Sequence, residues 1–220
     1  TQAAMKLIIQ IPCLNEQDQL PTALAALPRQ VAGFDRVEWL IIDDGSSDAT
    51  IATARAHGVE HVVRFAQNRG LAAAFQAGLD AALKLGADVI VNTDADNQYD
   101  AGAIPALVSP IVAGDADIVI GDRDVRSVDE FSLIKKQLQV LGSWVVRKAS
   151  STGVTDTTSG FRAYSREAAL GLTVVSPYTY TIESIIQAGR SRTAIANVPV
   201  GTNPKMRDSR LFGSTWGYIR

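Results

Sequence analysis

Short apolar runs that end in acidic or turn residues recur along the first 125 positions. "KLIIQIP" (6–12) is almost continuously apolar, as a strand buried on both faces requires, and so is the start of "VEWLIIDDGSSD" (37–48). "HVVRF" (61–65), "DVIVNTD" (88–94) and "DIVIGDR" (117–123) repeat the pattern. Between these runs the period lengthens to that of a helix. It does so over 20–27, where Pro21 suits a first turn, and over 49–57, where Ser47 or Asp48 can cap. It does so again over 69–86, stopped by Gly86, and over 104–114, where Pro110 is expected to interrupt. Strand and helix alternating with short links predict an α/β fold with a mostly parallel, doubly wound sheet flanked by helices. Past 125 the alternation breaks. A long helix is expected over 132–150, a strand over 159–165, a helix over 180–189 and a strand over 193–200.

Polar groups gather where the predicted strands end: Asn15 and Glu16, Asp43 and Asp44, Asp94 and Asp96, Asp122 and Arg123. Open α/β sheets bind ligands at that edge. Asp94 and Asp96 in "VNTDADNQYD" raise a physical question, because two carboxylates one residue apart repel unless a positive group lies between them. Asp43 and Asp44 before Gly45 also suit a plain turn, and Arg123 also suits an ion pair with Asp122 or Asp124.

Charge sharpens the picture. The net charge of −2 gives no sign of nucleic-acid binding, but residues 1–125 carry −9 and residues 126–220 carry +7. One half is therefore suited to a cation and the other to an anion or a membrane surface. Cys13 is the single cysteine, so an internal disulfide is excluded and a reducing compartment is expected. No apolar run is long enough to span a bilayer and no signal peptide is apparent. Met5 reads as a natural start behind four added residues, and "RLFGSTWGYIR" reads as the end of a chain cut from a longer one. His57 and His61 lack the intervening Glu of a zinc motif. Trp144 is expected in the core, and Trp216, in a basic aromatic tail, suits either core or membrane contact.

A nucleotide is the natural ligand for such an edge, yet neither glycine-rich phosphate loop is present after the first strand, which ends in "PCLNE". A divalent metal can manage phosphate instead. Oxygen ligands from Asp94, Asp96 and Gln98 suit Mg2+ or Mn2+, with diphosphate oxygens completing the shell.

"IPCLNE", "LIIDDGSSD", "NRGLAAAFQAGL", "NTDADNQ", "IGDR" and "TSGFRAYSREA" occur in an order and spacing that resemble family 2 glycosyltransferases of the GT-A fold. The resemblance spans nearly all of 5–220 as one catalytic domain and is strongest to the polyprenyl-phosphate sugar synthases. It implies a donor pocket from Pro12, Leu14, Asn15, Glu16, Asp43, Asp44, Asn68, Gly70, Asp94, Ala95 and Asp96. It implies metal ligation by Asp94, Asp96 and Gln98, with Asp96 and Arg123 in the chemistry. Acceptor or phosphate contacts would come from Arg123, Ser159, Gly160, Arg162, Arg207 and Arg210. The last two match loosely, because the family's basic loop ends in a lysine that "SRLFGSTW" lacks, and they also suit solvated tail charges.

An "ED" base motif and a "QxxRW" string, which mark members with sugar-hydroxyl acceptors, are both absent. An anionic lipid phosphate needs no general base. The expectation is therefore an inverting hexosyltransferase that moves sugar from a UDP- or GDP-sugar to a polyprenyl phosphate at the cytoplasmic membrane face. A hydroxyl acceptor is the rival, with Glu183 as base; otherwise Glu183 would partner a loop arginine. More distant rivals are a sugar nucleotidyltransferase and a non-catalytic binding module.

Overall fold

The computed structural model describes residues 4–123, 153–176 and 179–204. The helix expected over 132–150, both Trp144 and Trp216, and Arg207 and Arg210 lie outside these residues. Seven strands form one sheet: β1 (Lys6–Cys13), β2 (Arg36–Asp43), β3 (His61–Arg64), β4 (Val89–Asn92), β5 (Ile118–Asp122), β6 (Arg162–Ser165) and β7 (Ile195–Pro199), in the order β3-β2-β1-β4-β6-β5-β7. All neighbours pair parallel except β6, which runs antiparallel to both β4 and β5.

The alternation of side chains along β1 builds both halves of the core. Leu7, Ile9 and Ile11 face one side, against α1 (Leu20–Ala26) and α4 (Ile104–Val112). Ile8 faces the other side, with Phe75 and Leu79 of α3 (Leu71–Lys84) and Ile185 and Ala188 of α6 (Tyr180–Ser191). Two shorter helices, α2 (Thr50–Ala56) and α5 (Arg166–Gly171), complete the layers.

α4 runs through Pro110 rather than stopping there. The proline lies in the last turn, and its lost hydrogen bond concerns the carbonyl of the exposed Ala106. Ile104, Leu107 and Val108 are buried and anchor the helix regardless. The expected strand at 159–165 is shorter, since 159–161 spend their polar groups on the site described next.

Registry explains why distant segments meet. Cys13 pairs with Asp43, and Asp43 with Arg64, so the carboxyl ends of β1, β2 and β3 are level. Asn92, the last residue of β4, pairs with Arg162, the first of β6. Because β6 is antiparallel, the segment that enters it, 153–161, arrives at the same edge where β4 and β5 leave.

Candidate active site

The loops after β1 and β2 are laced together. Asn15, in the left-handed region at φ 54°, accepts the Ser47 amide on Oδ1 at 2.8 Å and donates its own amide to Ser46 Oγ at 2.8 Å. The Glu16 amide donates to Thr50 Oγ1 at 2.8 Å, and Gln17 Oε1 accepts the Ala49 amide at 2.9 Å. Asp48 accepts the Thr50 amide at 3.0 Å, so of the two caps foreseen for α2 it is Asp48 that binds the helix start.

Gly45 makes this loop possible: its φ is 79°, and an added Cβ would stand 2.6 Å from the backbone carbon of Gln67. Gly45→Ala is expected to cost about 2 kcal/mol or more, read as a lowered urea midpoint.

Asp43 and Asp44 divide their roles. Asp44 accepts the amides of Arg69 (2.6 Å) and Gly70 (2.9 Å) and so fixes the entry to α3. Asp43 is fully buried at the end of β2; Oδ1 accepts the Ser46 amide at 3.3 Å, while Oδ2 has no hydrogen bond and stands 3.4 Å from Arg64 Nε. Of the pair, only Asp43 has a buried carboxylate oxygen without a hydrogen bond. Pro12 and Leu14 are half-buried beside it, and Asn68 is exposed on the loop before α3.

The acidic groups converge. The buried Cys13 thiol is pushed well above its ordinary value by burial and then by Glu16, Asp43, Asp48 and Asp94. Asp94, half-buried, is raised to about 7, first by loss of solvation and then by the Asp96 charge, with Arg123 opposing and Glu16 adding. Asp96 Oδ1 accepts the Gln98 amide at 3.1 Å, Ala95 is buried between the two carboxylates, and Asn97 takes a left-handed turn at φ 55°. The Gln98 carbonyl accepts the Asn203 amide at 2.8 Å, which ties this loop to the segment after β7.

Arg123 leaves β5 beside this group; Asp124, one of the partners foreseen for it, lies outside the described residues. Asp156 grips it at two points, Nε at 2.7 Å and Nη2 at 3.0 Å, and Thr158 Oγ1 accepts from Nη2 at 2.8 Å. Asp156 Oδ1 also accepts the Ser159 amide at 3.1 Å. One carboxylate thus organises both Arg123 and the turn leading to Gly160, whose bare Cα abuts Asp94.

Two expected residues sit elsewhere. Arg162 is wholly buried, and its guanidinium donates to the carbonyls of Thr157, Ser159 and Thr181 and to Ser184 Oγ. This placement gives it a structural task and offers no support for a phosphate contact. Glu183 accepts the amides of Val175 and Ser176 and a bond from Gln187, so its carboxylate clasps the turn before α6. None of its described partners belongs to the Asp94 group.

Sequence reading passed over Gln10, Asn92, Asp156, Tyr180 and Tyr99, whose hydroxyl accepts the Gly160 amide at 2.9 Å. A signal existed for two of them: Gln10 is the lone polar residue inside "KLIIQIP" and Asn92 closes "VIVN". Both are fully buried, and a buried amide needs partners.

Acidic groups thus gather at the carboxyl edge of the sheet, with the Arg123 guanidinium close to Asp94. The sequence profile of glycosyl transferase family 2 matches residues 8–171, and the chain belongs to this family; it is a glycosyltransferase. An uncharacterised glycosyltransferase of Mycobacterium tuberculosis is 32% identical over 213 residues, covering 96% of this chain and 92% of its own length. The undecaprenyl-phosphate mannosyltransferase of Micrococcus luteus is 29% identical over 224 residues, covering 97% and 90%. Glucosyl-3-phosphoglycerate synthase of M. tuberculosis, solved with Mn2+, UDP-glucose and phosphoglyceric acid, aligns with a TM-score of 0.75 at 24% identity, over 94% of this chain and 74% of that one. The likeness establishes the GT-A fold. Family membership sets aside the nucleotidyltransferase and the non-catalytic module.

Proposed function

We propose that this enzyme transfers a hexosyl group, with inversion, from a UDP- or GDP-sugar to a polyprenyl phosphate, with Mg2+ or Mn2+ held at Asp94 and Asp96. The observation that carries the metal is the Asp94–Asp96 pair itself: two carboxylates one residue apart on one loop, the first raised by burial and then by its neighbour's charge, are an environment that a cation relieves. Among the described residues no cluster of three or more His, Cys, Asp or Glu is arranged to hold a metal. Mg2+ and Mn2+ need only one or two carboxylates when substrate phosphates complete the shell. When bound, the metal neutralises charge building on the departing diphosphate. Gln98 stands two residues from Asp96 on the same loop and is the third oxygen donor of this reading.

The chain's own residues do the rest. Asn15, Glu16 and Asp43 line the donor end of the sheet. Arg123, fixed by Asp156, sets a permanent positive charge near Asp94 that assists the leaving group. An acceptor phosphate oxygen attacks the anomeric carbon as the bond to the diphosphate breaks, and it is anionic, so no proton has to be removed. Support for this acceptor comes from the Micrococcus relative's name and from Glu183, whose carboxylate is committed to backbone amides. In this reading the half with charge +7, Arg207 and Arg210 included, serves the acceptor phosphate at a cytoplasmic membrane face. Among the described residues no helix is long and apolar enough to cross a membrane.

Glu183→Gln tests the acceptor directly. The amide oxygen can still accept from Val175 and Ser176, so transfer to a polyprenyl phosphate is expected to stay within about threefold of wild type, against the 10²–10⁴-fold that a general base contributes. A loss of that larger size in a normally folded variant would favour a hydroxyl acceptor.

A further inference from the structure

Beneath Asp94 lies a chain of buried hydrogen bonds with a fixed direction. Gln10 Nε2 donates to Asn92 Oδ1 at 2.9 Å and to the Phe75 carbonyl at 3.4 Å. Asn92 Nδ2 donates to the Gly160 carbonyl at 2.8 Å and to the Tyr180 hydroxyl at 3.1 Å. The two backbone carbonyls can only accept, so they fix which end of each amide carries the hydrogens. Tyr180 must then receive from Asn92, and its own phenolic hydrogen points elsewhere.

Asp94 is a near neighbour of that hydroxyl, although no hydrogen bond joins the two in the structure. A Cβ on Gly160 would stand 2.9 Å from the Tyr180 hydroxyl and 3.3 and 3.4 Å from the two Asp94 carboxylate oxygens. Hydroxyl and carboxylate therefore border the same small space, open because residue 160 is glycine. The ring is immobilised, stacked on Phe75 with centroids 4.0 Å apart and planes 13° apart.

We propose that Tyr180 is a positioning residue for Asp94: the Gln10–Asn92–Tyr180 chain leaves the phenolic hydrogen free for the Asp94 carboxylate, which it steadies in the orientation that receives the cation. The inference rests on the metal site of the proposed function. Outer partners of ligating carboxylates set ligand orientation, and their loss costs about 10–100-fold in metal affinity.

The test is Mn2+ affinity, read by electron paramagnetic resonance of the free ion, with saturating UDP and separately with GDP. Tyr180→Phe keeps the stacked ring and removes only the hydroxyl; its Mn2+ Kd is expected to rise about tenfold. Tyr164→Phe removes another fully buried phenol from the same aromatic cluster, 5.7 Å from Phe75, and is expected to leave the Kd within about twofold. Asn92→Leu removes the amide that donates to both Gly160 and Tyr180. With nothing donating to it the phenol is free to turn, and the Kd is expected to rise toward that of Tyr180→Phe. Wild-type affinity in Tyr180→Phe, or equal weakening in both tyrosine variants, overturns the inference and leaves the metal site standing. If wild-type protein binds no Mn2+ with either nucleotide, the metal reading falls and takes this inference with it.

Discussion

Asp96→Ala is expected to lower sugar transfer by about a thousandfold, equivalent to about 4 kcal/mol of transition-state stabilisation. It is also expected to abolish the difference in nucleotide binding between Mn2+ and EDTA. Asp96 contributes little to the fold by comparison: its one described hydrogen bond is the local turn to the Gln98 amide. Removing it should also relieve Asp94 of a like charge, so the variant should fold at least as well as wild type. Stability kept and metal-dependent binding lost, measured by urea denaturation and calorimetry on one preparation, is the signature of a ligand rather than a scaffold residue. Unchanged metal-dependent binding would remove Asp96 from the site.

Asp156→Ala is expected to act in the opposite way, on the fold first. The variant leaves the Arg123 guanidinium buried with no carboxylate, and breaking a buried pair from one side costs about 3–5 kcal/mol. The side chains of Arg123 and Asp156 are only 8% and 2% exposed, so solvent cannot take over the lost partner. Asp156 also holds Thr158 and Ser159 through the same oxygen, so the turn that delivers Gly160 to Asp94 should loosen with it. Asp156→Asn, which keeps the shape and loses the charge, should cost less. Burial pushes the Asp156 carboxyl up, but the Arg123 hydrogen bonds and charge outweigh it and hold it below its ordinary value. The pair's contribution is therefore complete above the ordinary carboxylate range and is lost as pH falls through the lowered value. Urea titrations at neutral pH and near pH 3 should show the gap between wild type and Asp156→Ala closing in acid.

The elements that were legible in the sequence are those fixed by local pattern. "KLIIQIP" and "DVIVNTD" could only be strands buried on both faces, and "RGLAAAFQAGLDAALKLG" could only be a helix ending at Gly86. The candidate carboxylates were legible for the same reason, since each stands where an apolar run stops. What stayed hidden depends on contacts between distant segments. The direction of β6 follows from its pairing with β4 and β5, and nothing inside "RAYS" encodes it. Asp43 and Asp44 look alike in sequence, and only the approach of Arg69 and Gly70 separates a helix-start clamp from a carboxylate with a spare oxygen. Arg162 reads, by the resemblance of "SGFR", as an acceptor or phosphate contact; the carbonyls of Thr157, Ser159 and Thr181 draw it into the core. Nothing around Asp156 in the sequence points to Arg123, 33 positions earlier, which only the fold brings into its grip.

The most direct measurement is transfer of labelled sugar from UDP- and GDP-sugars to a short-chain polyprenyl phosphate, followed as label extracted into organic solvent, with Mn2+ and with EDTA. The account predicts organic-phase label with one donor class, released by mild acid as expected of a glycosyl phosphate, and none in EDTA. Organic-phase label at the same rate in EDTA, or label that reaches only hydroxyl acceptors, would contradict it.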